Sequence, residues 1–408
     1  MTPSSAATLV TDPEIAAIRE AVEAALPRYL DELATLVNVD CGSYTKDGVN
    51  EVAGWTAAAL IALGARVERL ADPNGRLGDT VVATLQGSRG GPRALLIGHM
   101  DTVFDPGTAT ARPFHIEGGR AYGPGVTDMK SGLLAGLHAL AALRAAAPGA
   151  DWLPFSRLVF IANPDEEIGS PSSTPHVRAA AQQSDVAFVL ECARANGDIV
   201  SARKGTVDLR LTVHGRAAHA GVEPEKGRNA ILAAAHQVIA IQALDGRWPG
   251  VTCNVGVIAG GTRPNVVADS ATLEVDLRSP SRADLEAAEA EVRAIAAAEV
   301  VPDVTTTIEE MGRHWPMETS PGGARLVELA VALAGRLGFD LHDAATGGAS
   351  DANTTAGLGV PTLDGLGPIG GNDHAPGEYL EVDSIGPRTT LLALLLLTVG
   401  REGVSRRG

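Results

Sequence analysis

The stretch Arg93-Ala94-Leu95-Leu96-Ile97-Gly98-His99-Met100-Asp101-Thr102 decides the fold. Its first half is a short apolar run of strand length, and its second half turns polar at a glycine. A strand over Arg93–Ile97 therefore delivers His99 at its carboxyl end. Asp101, two residues on, points to the same side because side chains alternate along an extended chain. One reading is a metal-ligating imidazole with a carboxylate to orient it. The other is an ordinary loop histidine, and this stretch alone does not exclude it.

Working outward, the flanking chain alternates strands with helices. Pro13–Val37 carries apolar residues at helical spacing (Ile15, Ile18, Val22, Leu26, Leu30, Leu33), and a second helix covers Val49–Leu63. Short strands follow at Ala65–Leu70 and Thr80–Leu85. After Gly123-Pro124-Gly125 come a long Ala/Leu helix, Lys130–Ala146, the apolar strand Leu158–Ala162, and a strand at Val186–Leu190. This order predicts an α/β fold, a mixed and mostly parallel sheet flanked by helices, with ligands at the carboxyl ends of the strands.

The texture changes over 203–314. Strand Thr206–Val213, helix Asn229–Leu244, strands Cys253–Ile258 and Thr272–Leu277, helix Arg282–Glu299 and strand Thr305–Glu309 give the order β-α-β-β-α-β. That is a ferredoxin-like α+β unit, whose edge strand is a natural place for a second copy to pair. From Pro321 the α/β texture returns, with helix Ala324–Leu337, strand Val360–Asp364 and a last helix over Val382–Val399. The expected organisation is a first catalytic part at 1–202, an inserted domain at 203–314 and a second catalytic part at 315–408.

With 49 acidic and 33 basic residues the net charge is −16, so no broad basic surface for nucleic acid or anionic membrane is encoded. Three widely separated cysteines, Cys41, Cys192 and Cys253, form no disulfide framework. Met1–Pro13 lacks the basic and apolar regions of a leader peptide, and the longest apolar run is Leu391–Val399. A cytoplasmic protein that neither binds nucleic acid nor enters a membrane is the expectation.

Further acids gather at the other strand ends. Asp128, in a turn before the Lys130–Ala146 helix, is either a helix cap or a carboxylate bridging two ions. Asn163-Pro164-Asp165-Glu166-Glu167 places adjacent carboxylates at the end of an apolar strand, an arrangement that repulsion opposes unless cations or different roles separate them. One glutamate can bind an ion while its neighbour serves as general base. Glu191 and His374 are weak signals singly. Together, four strand-to-loop junctions send metal-type ligands to one rim of the sheet.

These segments resemble the co-catalytic zinc exopeptidases and deacylases, a family that includes glutamate carboxypeptidase, aminoacylase, acetylornithine deacetylase and succinyl-diaminopimelate desuccinylase. The carriers are Gly98–Thr102, Gly123-Pro124-Gly125 through Asp128-Met129-Lys130, Asp165–Ser170, Gly215 through His219-Ala220-Gly221, and Asn372–His374. The resemblance implies two divalent ions, zinc first and cobalt or manganese as alternatives. His99, Asp128 and Glu191 would hold one, and Asp128, Glu167 and His374 the other, with Asp128 as the bridge. Asp101 would orient His99, Glu166 would be the general base and acid, and a cis peptide would follow Asp128. The inserted domain becomes a lid and dimerisation domain. Its His219 would donate to the oxyanion in a partner's site, and Asn265 and Arg278 would contact the substrate carbonyl and carboxylate.

The implied reaction is hydrolysis of an amide bond beside a free α-carboxylate, closest to glutamate carboxypeptidase. The substrate would be a small peptide or N-acyl amino acid, and the enzyme a homodimer. Asp128-Met129-Lys130 resembles the deacylase branch, so an N-acyl-amino-acid deacylase is the alternative. An aminopeptidase or dipeptidase would need a pocket for a free amine, and none is readable. A non-catalytic metal-binding protein is the rival from another class. Without the resemblance, His219 reads as a loop histidine and Arg278 as a salt-bridged strand end. Gly347–Ala352 is either a glycine-rich loop beside the cleft or a plain turn.

Overall fold

The computed structural model describes residues 10–87, 90–147, 149 and 151–404. Residues 1–9, most of the Met1–Pro13 stretch read above as lacking a leader peptide's regions, lie outside them. The chain separates into two compact units, one of Met1–Ser201, Thr319–Ala345 and Ser350–Gly408, the other of Ala202–Glu318 with Thr346–Ala349. The second contains all of 203–314.

The first unit is built on a six-stranded sheet in the order Arg66–Leu70, Thr80–Gln86, Arg157–Asn163, Arg93–His99, Val186–Val189, Thr362–Leu363. The first two pairings are antiparallel and the other three parallel. This is the mixed, parallel-rich α/β sheet expected from the alternation of elements. Arg93–His99 and Arg157–Asn163 are buried beyond their first residue, which is why they read as unbroken apolar runs. Helices Asp12–Val37, Ser131–Ala146 and Ile385–Glu402 pack on one another, and Thr174–Gln182 packs on Asp351–Gly357.

The stretch Val382–Glu402 is long and apolar enough to cross a membrane by composition, but 72% of its apolar window is buried inside the molecule. Leu391, Leu392, Leu394, Leu395 and Leu396 are each at most 1% exposed, and each such burial stabilises the fold by about 1.5–3 kcal/mol. It is a core helix. The helix expected at Ala324 starts at Pro321, because Ser320 Oγ accepts the Gly323 amide at 3.0 Å and proline suits a first helical turn. A small sheet of Gly370–Gly371, Tyr379–Glu381, Arg120–Tyr122 and His115–Glu117 was not expected.

The second unit is a four-stranded antiparallel sheet in the order Thr252–Gly260, Ser270–Ser279, Gly205–His214, Thr305–His314, with helices Ala230–Gln242 and Arg282–Ala297. Alternation along Ser270–Ser279 and Gly205–His214 sends Leu273, Val275, Leu277, Leu209 and Leu211 into a core shared with the helices. The observed order of elements is β-α-β-β-α-β. Among the described residues Thr252–Gly260 is an edge strand, paired on one side only.

Candidate metal centre

Strand register brings the candidate side chains together. His99 ends its strand directly opposite Asn163 on the parallel neighbour, so the turn carrying Glu166 and Glu167 begins beside it. On the other side Ile97 is opposite Val189, which puts Glu191 level with His99. Side chains from three strand ends, unremarkable singly, are thus forced onto one rim.

Asp128 arrives from the turn Val126–Lys130. The helix after it starts at Ser131, with Lys130 at the cap position and no side-chain cap bond, so Asp128 does not cap that helix. Its Oδ1 lies 3.0 Å from His99 Nε2, and its Oδ2 lies 3.1 Å from His374 Nε2. His374 Nε2 is also 3.0 Å from Glu167 Oε2, and His99 Nε2 is 3.7 Å from Glu191 Oε1. Asp128 thus touches both imidazoles, and each imidazole also approaches a second carboxylate. His99, Asp128 and Glu167 offer ligand atoms within 4.8 Å of one another, as do His99, Glu166 and Glu191. The Asp128–Met129 peptide is cis.

Asp101 has a wider task than expected. His99 Nδ1 is 3.0 Å from the Asp101 main-chain carbonyl and 3.4 Å from its Oδ1. The same carboxylate accepts the Glu166 amide at 3.1 Å, the Glu167 amide at 3.2 Å and the Ser43 hydroxyl at 2.7 Å. It fixes the imidazole and the acidic turn together.

Glu378 was not singled out from the sequence. Buried at 1% exposure, it accepts amides of Gly125 at 2.9 Å, Thr127 at 2.9 Å and Asp128 at 3.1 Å. It therefore ties the hairpin that carries His374 to the Asp128 turn. The two approach so closely that a Cβ at Gly370 would collide with Thr127 Oγ1. Asp351, also unassigned, is buried and accepts Asn163 Nδ2 and Ser170 Oγ. Lys130 is wholly buried, with Nζ donating to the carbonyls of Pro124 at 3.2 Å and Val39 at 3.3 Å. Motif spacing could place Lys130 near the site. Nothing local in the sequence marks Glu378 or Asp351.

Electrostatically the cluster calls for positive charge. Burial lowers the His99 pKa, but the Asp101 and Asp128 carboxylates, with Glu191 and Glu166 beyond, outweigh it and hold the ring well above its ordinary value. The Asp128 and Glu167 carboxylates raise His374 to about 11. Burial, with the charge of Glu191, pushes Glu166 well above the usual carboxylate range. Carboxylates that force two imidazoles to protonate are asking for cations, and this mixed nitrogen and oxygen donor set suits borderline divalent ions. The residues fit a metal.

In the second unit the structure brings His219 and Asn265 together, with the Ala220 amide donating to the Asn265 carbonyl at 3.0 Å. His219 Nδ1 accepts the Gly221 amide at 3.1 Å, which leaves Nε2 as the ring's donor. Arg278 Nε pairs with Asp276 at 3.0 Å, and its Nη1 donates to the Gly347 carbonyl at 3.2 Å. Ser350 Oγ accepts the Ala352 amide at 3.1 Å and caps helix Asp351–Gly357.

A parallel-rich α/β sheet whose strand ends gather imidazoles and carboxylates around a shared aspartate defines a metal-dependent hydrolase. The profile of peptidase family M20/M25/M40 matches residues 95–398, and the chain belongs to that family. It is 30% identical to carboxypeptidase G2 of Pseudomonas sp. (strain RS-16) over 377 residues, covering 92% of this chain and 90% of that protein. It is 28% identical to succinyl-diaminopimelate desuccinylase of Stenotrophomonas maltophilia (strain K279a), covering 76% and 84%. Among solved structures, aminopeptidase PepT from Bacillus cereus superposes with a TM-score of 0.73 at 25% identity, covering 92% of this chain and 98% of that one.

Proposed function

We propose that this hydrolase cleaves an amide bond beside a free α-carboxylate and releases a C-terminal amino acid, as carboxypeptidase G2 is named for doing. The observation that carries the reading is the Asp128 carboxylate, with one oxygen on each of two imidazoles that belong to separate donor sets. His99, Asp128 and Glu191 hold one divalent ion, and Asp128, Glu167 and His374 the other. Zinc is the first choice, with cobalt or manganese as alternatives. Such ions supply Lewis acidity that brings the pKa of a water toward neutrality.

Glu166 is the base. It sits on the acidic turn fixed by Asp101, and its raised pKa suits a group that takes a proton from the attacking water and returns it to the leaving amine. Asp101 keeps His99 and Glu166 in register. In the inserted domain, His219 Nε2 donates to the developing oxyanion in a partner's site, Asn265 contacts the substrate carbonyl, and Arg278 its carboxylate. Two copies pair through this domain. Exposed Ile231, Leu232 and Ile239 on one helix, with Val257 and Ile258 on the edge strand, support that pairing. Three buried, unpaired cysteines support a cytoplasmic setting.

The desuccinylase relatives favour a second reading, an N-acyl-amino-acid deacylase. Both are tested by measuring the metal content of purified protein and its hydrolysis of C-terminal glutamate dipeptides and N-acyl amino acids, with and without chelator. Release of glutamate that chelator abolishes supports the first reading, and preference for N-succinyl or N-acetyl amino acids the second. Fewer than one bound ion per chain after metal supplementation would refute the centre itself.

A further inference from the structure

A cavity of about 250 Å³ in the first unit lies beside the acidic turn, walled by Tyr44, Arg76, Leu77, Ile168, Pro171 and Pro175. Its walls are continuous with the catalytic segments. Tyr44 follows Ser43, whose hydroxyl is bonded to Asp101. Ile168 closes the short helix Glu166–Ile168, so it stands roughly 4 Å along the axis from Glu166. The adjoining Ser172 amide donates to Asp165, on the same turn.

Beside its apolar side chains the cavity wall also carries the polar Asp72, Asn74 and Ser172. Asp72 accepts the amides of Asn74 at 3.1 Å, Arg76 at 2.8 Å and Leu77 at 3.0 Å, and Lys46 Nζ donates to the Gly75 carbonyl at 3.0 Å. A loop pinned this way presents a defined Arg76 guanidinium, 5.7 Å from the centre of the Tyr44 ring. Tyr44 is 64% exposed, and Arg76 is exposed and makes no ion pair among the described residues. Asp72 also lines the cavity, but its two oxygens are taken up by the three backbone amides, so the Arg76 guanidinium remains available to a ligand.

We infer that this cavity is the subsite for the acyl side of the scissile amide, and that it selects an acyl group with an apolar stem and an anionic end. The inference rests on the amide-hydrolase reading above. Leu77, Ile168 and the two prolines take the stem, Tyr44 covers it, and Arg76 meets the terminal carboxylate. The size agrees, since an apolar cavity of about 150 Å³ is enough for benzene.

The test compares kcat/KM for N-acetyl-, N-hexanoyl- and N-adipoyl-L-glutamate, the last two matched in chain length and differing in terminal charge. In the wild type, hexanoyl exceeds acetyl by at least about tenfold, through burial of four further methylenes. Arg76→Met lowers the adipoyl-to-hexanoyl ratio by about fivefold, the worth of one partly exposed ion pair, and Arg76→Lys keeps part of it. Tyr44→Ala lowers the hexanoyl-to-acetyl ratio. Cleavage of all three substrates with ratios that these substitutions leave alone overturns the subsite while sparing the hydrolase reading. A metal-loaded wild type that hydrolyses C-terminal glutamate dipeptides but none of the three overturns the subsite alone, and one that hydrolyses neither kind of substrate overturns both.

Discussion

Replacing Asp101 with asparagine isolates the residue that joins His99 to the acidic turn. The two carboxylate oxygens divide their partners, Oδ1 taking the Glu166 amide and Oδ2 the Glu167 amide together with Ser43 Oγ. Asparagine retains one oxygen and sets an amino group where the other was. Whichever way it faces, one main-chain N–H points at a donor, while the Ser43 hydroxyl can turn to accept. A buried donor left without a partner costs about 1–3 kcal/mol, and each 1.4 kcal/mol is about tenfold in a binding constant. If that cost falls on the assembled centre, affinity for the divalent ion drops by roughly five- to a hundredfold, which overlaps the roughly ten- to hundredfold loss typical of residues that orient metal ligands. Chelator competition measures the affinity, and circular dichroism establishes that the fold is retained. Ser43→Ala, which removes one donor to Asp101 and leaves both of its carboxylate oxygens for the Glu166 and Glu167 amides, should fall by much less. Asp101→Asn with wild-type metal affinity and activity would refute the assignment.

Glu166→Gln should keep its metal content and lose roughly 10²–10⁴-fold in kcat, measured by single-turnover hydrolysis; near-normal turnover removes it as the base. Burial, only partly offset by Glu32 2.8 Å away, depresses the pKa of His138 below 6.5. The folded state therefore resists protonating His138, and its contribution, full above pH 6.5, fades as pH falls from there through the folded pKa. Melting temperatures from pH 8 to 5 should converge between wild type and His138→Gln toward acid, and a constant gap rejects this. Val257→Glu together with Ile239→Glu should convert a dimer to monomers in sedimentation, whereas an unchanged sedimentation coefficient dismisses pairing through that face.

Much of the fold was legible because periodicity and length carried it. The apolar runs at Arg93–Ile97 and Leu158–Ala162 could only be core strands once helices flanked them, and both are. Glu191 was weak as a lone acid and became informative only through the register that sets Val189 opposite Ile97. The two roles open to Asp128 differ in where its carboxylate points, which spacing does not encode. The small sheet was unreadable because strands of two or three residues have no period to detect. Glu378 escaped notice for a related reason, since its meaning lies in three amides some 250 positions earlier in the chain.

The Glu378 brace also bears on when the centre can exist during synthesis. The segments bearing His99, Asp128, Glu166, Glu167 and Glu191 leave the ribosome first, then the whole 202–318 unit, and only afterwards the hairpin with His374 and Glu378. Until that hairpin docks, the Asp128 turn lacks its three-amide anchor and one imidazole is missing. A nascent chain can hold at most an incomplete set of these donors, so binding by the complete set would come late, once the Gly370–Glu381 hairpin has docked on the Asp128 turn.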